Sequence, residues 1–421
     1  MTIRIACFVF IVTSFLGCGE QIQNKELVIE IEKNISNFKN EKLSDFAYDI
    51  EYIPLETNEA NIINDIHYVD FTNRLIFIND NDKCLLFTIN GEFVSQIGKK
   101  GKGPGEYTRP SIVRIGRKDN CLYVPDGSKI LRYDMDGNYI RDIKNPAGLS
   151  GAFLNESWIP TDDSVFVCHI ANTTGQIKHK VIFFNDESDT LKMIKNHIQF
   201  YREKERFSSD DGKANFYFFD NQLSYKSLMN DTLYRIAKSY ELIPAYVFDL
   251  GKFKFPDNYR ALPMSEYYNQ FKKYIWIYNI IEVEDYIFLE FVFNDHYPLK
   301  TQKEYAINGN MQKGQAPILG VYFKKKNSLV FVEPYEELDF VNPNGIKNDI
   351  DGGLSFFPKR KIDDSTIVMW FNAYEIKHFV ESRTFKNSTP KYPEKKKELE
   401  RLANSLDEND NPVLMLVKLK E

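Results

Sequence analysis

At 421 residues the chain has room for two or three domains, or for one repeat fold with a single continuous core. Its 43% hydrophobic and 27% charged residues exclude a largely disordered protein, and 33 Phe with 25 Tyr lean toward strands, where aromatic side chains pack well. The net charge of -6 argues against a nucleic-acid-binding surface, which carries a basic excess to neutralise phosphates.

The chain opens with Arg4 and a nearly unbroken apolar run over residues 5–16, ending in Phe15-Leu16-Gly17-Cys18. The run falls short of the roughly 20 apolar residues needed to cross a bilayer, so residues 1–17 read as an export signal. The tetrapeptide resembles a bacterial lipobox, in which a small residue precedes the cysteine that receives the diacylglycerol and becomes the new N-terminus. Phe15 stands where Leu is more usual. An ordinary secretory signal with an incidental Cys18 is the alternative. Processing leaves Cys84, Cys121 and Cys168, an odd set without C-x-x-C spacing. That pattern gives neither a disulfide framework nor a zinc site, and buried apolar strand positions are expected for all three.

Residues 18–45 read as a lipid anchor and polar tether with a short strand over 27–31, and residues 46–421 as a single domain. Within it, residues 74–97 superpose on residues 120–143 without a gap, a shift of 46. Phe77 falls on Tyr123, Asp80 on Asp126, Leu85 on Leu131, Gly91 on Gly137 and Ile97 on Ile143. Each copy predicts three antiparallel strands. Asn90-Gly91 and Asp136-Gly137 sit between alternating apolar runs, the signature of a type I′ hairpin with positive φ at both central residues. A repeat of about 40–50 residues carrying up to four strands is the size of a propeller blade.

Further strand pairs are predicted at 164–169 with 180–184, 214–219 with 232–236, 321–323 with 329–332 and 354–357 with 367–371, and strand density is high at 286–293. Residues 259–278 turn helix-like, as a blade insertion would. Pro393 opens a helix whose Leu399, Leu402 and Leu406 form one narrow apolar stripe. Residues 413–419 read as a last strand, expected to complete a blade begun near the N-terminus and so close the ring. The expected class is all-β, a β-propeller with minor helical insertions and a short C-terminal helix.

Residues 50–57 (Ile-Glu-Tyr-Ile-Pro-Leu-Glu-Thr), Asn90-Gly91-Glu92-Phe93 running into Gly103-Pro104-Gly105-Glu106-Tyr107, residues 230–236 and Asn411-Pro412-Val413-Leu414 carry a resemblance. They are similar to the six-bladed β-propeller lipoproteins of Gram-negative envelopes, related to NHL-type and TolB-like propellers. The matches spread over nearly the whole mature chain, Gly-Pro-Gly-Glu-Tyr being the most specific. The resemblance implies six blades of four antiparallel strands, a count that the 46-residue shift alone leaves open, and an outer-membrane address on the periplasmic or cell-surface side. It implies little about activity, because fold does not fix function.

Lys99, Lys100 and Lys102 in the glycine-rich stretch 98–105, with Glu106 and Tyr107, are the candidate ligand-binding residues. They do not make a P-loop, which needs G-x-x-x-x-G-K-[ST] leading straight into a helix, and here Pro104 and Pro110 follow. An inter-blade connection with tight turns is the plainer reading. Residues 79–82 and 349–352 are rich in oxygen donors suited to Ca²⁺, but neither continues to the Glu that an EF-hand loop requires, and Asx-rich turns explain both. No cofactor is therefore expected. His67, His169, His179, His197, His296 and His378 show no paired ligand spacing, and there is no G-x-S-x-G elbow, so no catalytic residue is assigned. Trp158, Trp276 and Trp370 are candidates for stacking on a ligand, although core packing is the commoner role of a strand aromatic.

The expectation is a monomeric, non-catalytic binding or scaffolding lipoprotein, held to the membrane only by its anchor and presenting a propeller face to a glycan, peptide or envelope protein. The alternative is an extracellular hydrolase or lyase with a cation-dependent site in the channel. Carboxylates or histidines converging there would favour the enzyme, and an apolar or plugged channel with a wide aromatic face the binding module.

Overall fold

The structure, a computed structural model, describes residues 27–420 apart from 81, 111, 117–118, 128, 147–156, 162–163, 202–211, 297–302, 308–309, 315 and 335–343. The export signal and Cys18 lie outside the described residues. Six antiparallel four-stranded blades make a propeller. From the axis outward, the first blade holds Tyr68–Phe71, Leu75–Asn79, Cys84–Thr88 and Phe93–Ile97. The second holds Arg114–Ile115, Cys121–Asp126, Lys129–Asp134 and Tyr139–Lys144. The third, fourth and fifth begin at Trp158–Pro160, Ala214–Phe219 and Trp276–Glu282. The sixth runs Arg360–Lys361, Thr366–Phe371, Val413–Leu419 and then Ala47–Pro54 from the other end of the chain.

The 46-residue repeat is the second to fourth strands of the first two blades. Both copies carry a register shift at the same place, between Leu86 and Phe87 and between Arg132 and Tyr133. The hairpins differ from the expected type I′ form: Gly91 and Gly137 have φ of 89° and 87°, while Asn90 and Asp136 are not in the left-handed region. Gly91 N–H donates to Thr88 O at 2.9 Å and Thr88 N–H to Glu92 O at 2.8 Å, a three-residue loop with glycine at the left-handed position. Only glycine fits there, since a Cβ would also lie 2.2 Å from the Pro54 carbonyl of the closing strand.

Two of the predicted pairings shift. Residues 214–219 pair with Gln222–Ser227, which then pairs with Thr232–Ile236. The polar Gln-Leu-Ser-Tyr-Lys-Ser composition hid a strand in which five of six residues are buried. Residues 354–357 contribute only the bridge of Ile346 to Phe356, their apolar side chains filling core as loop, and Arg360–Lys361 is the true inner strand.

Residues 27–46 belong to the ring and not to a tether. Leu27–Glu30 adds in parallel to Leu242–Asp249 on the fourth blade, and Phe38–Lys39 adds in parallel to Ser328–Val332 on the fifth. Ile29, Ile31, Leu43 and Phe46 are at most 1% exposed, so this segment covers two outer strand edges while burying its own apolar side chains. The C-terminal helix is Pro393–Ser405, with Leu399, Ala403 and Leu406 buried. It packs on a helix the sequence reading missed, Ala373–Glu381, opened by a capping box between Asn372 and Glu375. The helix-like insertion appears as Met264–Phe271, preceded by a 3-10 turn.

Ring closure is pinned at Asn411, which is 2% exposed. Its Nδ2 donates to the Glu56 and Asn61 carbonyls at 2.7 and 3.0 Å, its Oδ1 accepts from Ile63 N–H at 2.8 Å, and its own N–H donates to Thr57 Oγ1 at 2.8 Å. Asn411→Ala strands several buried groups and is expected to lower unfolding free energy by about 2–4 kcal/mol in urea titration. Tyr48→Ala on the same closing blade, 57% exposed, is expected to stay within about 0.5 kcal/mol of wild type.

Candidate functional site

The glycine-rich loop joins the outermost strand of the first blade to the innermost strand of the second. Lys99–Lys100 pairs in parallel with Glu106–Tyr107. Tyr107 is fully buried, its hydroxyl donating to the Ile97 carbonyl at 3.1 Å and accepting from Cys84 N–H at 3.3 Å. Glu106 accepts from Gly103 N–H at 2.8 Å and pairs with Lys99 at 3.3 Å. Lys99, Lys100 and Lys102 are exposed, Lys100 pairing with Asp82 at 3.1 Å. None of the five lines the central channel.

The channel is the site that the fold itself builds. The innermost strands leave one opening of about 500 Å³ on the side of the turns between first and second strands, and one of about 440 Å³ on the opposite side. Both openings share Arg114, Phe216, Asn279, Lys359 and Arg360, which form the waist. Arg114 is 8% exposed, lies 4.7 Å from the centre of the Tyr68 ring and donates from Nη1 to the Tyr68 hydroxyl, while its Nε has no partner. Arg360 lies 4.0 Å from the centre of the same ring. Each contact is a cation–π interaction, and together they bring two guanidiniums within about 9 Å of one another. At that spacing and an effective dielectric of about 20, their repulsion is at least about 2 kcal/mol. Burial, with the Arg114 charge adding to it, holds Arg360 below the ordinary arginine value against the opposing pull of Tyr68, Asp70 and Glu290. Burial also pushes the Asp70 carboxyl up, against the charges of Arg114 and Arg360.

The two openings differ in charge. The first is ringed by Asp220, Asp363 and Asp364 on the turns, Lys361 pairing with Asp364, with Asp70 and Glu282 deeper. Among the described residues, the second has Arg114, Lys213, Lys359 and Arg360 against Asp65 and Glu290, with His67 beside Asp65 and with Tyr278 and the half-buried Trp370 as aromatic walls. Trp158 and Trp276 are core residues, the latter donating its indole N–H to the Phe271 carbonyl at 3.0 Å. The acidic clusters are turns: Asp80 Oδ1 accepts from Asp82 and Lys83 N–H at 3.0 and 2.8 Å, and Asp351 Oδ1 accepts from Gly353 N–H at 2.8 Å. Among the described residues no group of three His, Cys, Asp or Glu is placed to hold a metal ion. Cys84, Cys121 and Cys168 are buried free thiols.

Sequence reasoning missed Tyr68, Arg114, Lys359 and Arg360. A signal for the first two exists in the strand register. Asp70 pairs with Phe77, seven residues on, whereas Arg114 pairs with Tyr123, nine residues on. The turn of the second blade is longer, so the gap-free repeat stops before the inner strands and their equivalence is lost.

A second cationic group stands at the edge of the first opening, and here both cations bond to one carboxylate. Glu282 is 0% exposed and is held through both oxygens by Arg235 at 2.7 and 2.6 Å, by Lys324 at 2.9 Å and by the Tyr217 hydroxyl at 2.8 Å. Burial alone would push this carboxyl up, but Arg235 and Lys324 outweigh it and hold it below the ordinary glutamate value. Its contribution is complete above the unfolded value near 4.5 and is lost as pH falls through the folded value. Glu282→Gln is therefore expected to destabilise by about 3–5 kcal/mol at pH 7, by stranding buried cations. The gap from wild type is expected to shrink in denaturation curves taken below pH 4.5.

The propeller has known relatives in structure. A protein from Bacteroides fragilis assigned as exported is 17% identical, with 94% of this chain and 100% of that one aligned at a TM-score of 0.65. A member of the DUF4221 family from Bacteroides vulgatus is 12% identical, covering 89% of this chain and 97% of its own, at a TM-score of 0.50. At these identities the likeness is one of fold. No protein of curated function matches the chain. No helix among the described residues is long and apolar enough to cross a membrane. The family model for the domain of unknown function DUF4934 matches residues 26–418, and the chain belongs to that family.

Proposed function

We propose that this chain is an exported, lipid-anchored envelope propeller that binds a glycan, peptide or protein segment in its central channel without transforming it. The observation that carries this reading is the composition of the waist: two guanidiniums, an ammonium, an amide and an aromatic ring. Guanidiniums stay charged throughout the physiological range, so they supply hydrogen bonds and charge but not proton transfer. The aromatic walls of the second opening add stacking area. An extracellular hydrolase or lyase is the second reading, and it would rest on Asp70 and Asp65, whose carboxyls burial raises toward an acid role. Export and anchoring rest on Arg4, the apolar run and Cys18, and a structural neighbour assigned as exported adds support.

The soluble form starting after Cys18 is to be screened by thermal shift against envelope glycans, peptides and lactones, with and without chelator, and each incubated ligand weighed by mass spectrometry. A binding module gains about 2.7 kcal/mol at a ligand concentration 100 times Kd and returns the ligand unchanged. Chelator-sensitive stability together with a change in ligand mass would overturn the reading in favour of an enzyme. For the anchor, Cys18→Ser is expected to move the exported protein from the detergent-rich phase to the aqueous phase in detergent phase partition, and unchanged partition would sink it.

A further inference from the structure

The waist of the channel holds more hydrogen-bond donors than partners. Arg114 is buried, spends one N–H on Tyr68 and leaves Nε without a partner. Arg360 makes no side-chain hydrogen bond among the described residues and is placed by the Tyr68 ring alone. Lys359 adds an ammonium between the two openings, resting 4.7 Å from the centre of the Phe357 ring. Three cations thus line both openings, and among the described residues the carboxylates beside them, Asp70 and Glu290, make no salt bridge with any of the three. Folding chemistry alone gives no reason for such an arrangement, since like charges repel and unpartnered donors out of water are unfavourable.

An oxyanion supplies what is missing. A carboxylate, phosphate or sulfate accepts paired N–H bonds from the planar guanidinium fork, and its charge relieves the repulsion between Arg114 and Arg360. The approach is set by the asymmetry of the openings. Asp220 and Asp363 repel an anion on one side, where Lys361 already pairs with Asp364, while on the other Lys213 adds its charge to the Arg114, Lys359 and Arg360 cations that both openings share, beside Tyr278 and Trp370. Resting on the binding function proposed above, we infer that the ligand of this propeller carries an oxyanion, which enters by the Lys213 opening and is clamped between Arg114 and Arg360. The aromatic walls favour an acidic saccharide over a bare inorganic ion as its carrier.

The test uses the soluble chain and isothermal titration with three probes, D-glucuronate, inorganic phosphate and D-glucose. Glucuronate is expected to bind most tightly, phosphate more weakly and glucose not at all, with glucuronate affinity falling as NaCl rises. Arg360→Gln is expected to weaken glucuronate at least about 10-fold, and Arg360→Lys, which keeps the charge but loses the fork, to recover only part of it. Arg114 is the more deeply built of the two, so Arg114→Gln is read only if its circular dichroism and melting match wild type. Replacing Lys99, Lys100 and Lys102 together by Gln separates the channel from the exposed loop: unchanged affinity supports the channel, and lost affinity moves the site and overturns the inference. Phosphate binding more tightly than glucuronate would overturn the saccharide carrier. No oxyanion binding, with a neutral glycan or peptide still stabilising the protein, would overturn the inference and leave the binding reading standing. Arginine-dependent glucuronate binding accompanied by a change in the mass of a glucuronate-bearing ligand would do the reverse.

Discussion

Everything in this molecule depends on joining the two ends of the chain. The ring of a propeller is locked when strands from opposite termini share one blade, and here Ala47–Pro54 pairs along its length with Val413–Leu419. Backbone pairing alone would allow the register to slip, because a strand that shifts by two residues keeps its side chains on the same faces. Asn411 prevents that slip. It bonds the Glu56, Thr57, Asn61 and Ile63 backbone or side chains through its side-chain amide and its own N–H, so the closing strand enters the sheet at one register.

The N-terminal segment extends the same logic outward. The outer edges of the fourth and fifth blades would otherwise expose unpaired backbone, and Leu27–Glu30 and Phe38–Lys39 cover them before the chain reaches the closing strand. Inner strands show the opposite economy. Those of the second and sixth blades are only two residues long, Arg114–Ile115 and Arg360–Lys361, and both present an arginine to the axis. A short inner strand leaves a waist open to long polar side chains, where a longer apolar one would have plugged it.

The blades were legible because their code is local. Strand alternation, the Gly91 and Gly137 turns and the pairing of residues 413–419 with the N-terminus all read directly from residue order, and each stands in the structure, the turns as three-residue loops and not as type I′ hairpins. The Gly-Pro-Gly-Glu-Tyr run was legible as a motif, but its role was not: Tyr107 is buried mortar between two blades, bonded to Ile97 and Cys84 of the first and sharing a core cluster with Leu122 and Tyr133 of the second. The waist was illegible for a different reason. Tyr68, Arg114, Asn279 and Arg360 are contributed by four separate blades, so no spacing along the chain links them, and the unequal turns of the first two blades hide even the nearest pair. Gln222–Ser227 escaped because burial there is set by neighbouring blades and not by its own polar composition.

Two cationic clusters on one inner wall make the distinction between support and function concrete. At Glu282 a buried carboxylate meets Arg235, Lys324 and Tyr217, and the Lys324 ammonium also sits 3.7 Å from the centre of the Phe219 ring, so both cations bond directly to one carboxylate. That cluster ties the fourth blade to the fifth. At the waist, one aromatic ring lies against two guanidiniums and, among the described residues, no carboxylate bonds to either. The cations that tie the fourth blade to the fifth thus share a bonded carboxylate, whereas among the described residues the guanidiniums at the waist do not. Natural sequences break their own local rules mainly at functional sites. The incomplete cluster lies on the axis to which all six blades contribute, and it is there, rather than in the glycine-rich loop, that the chemistry of this propeller is concentrated.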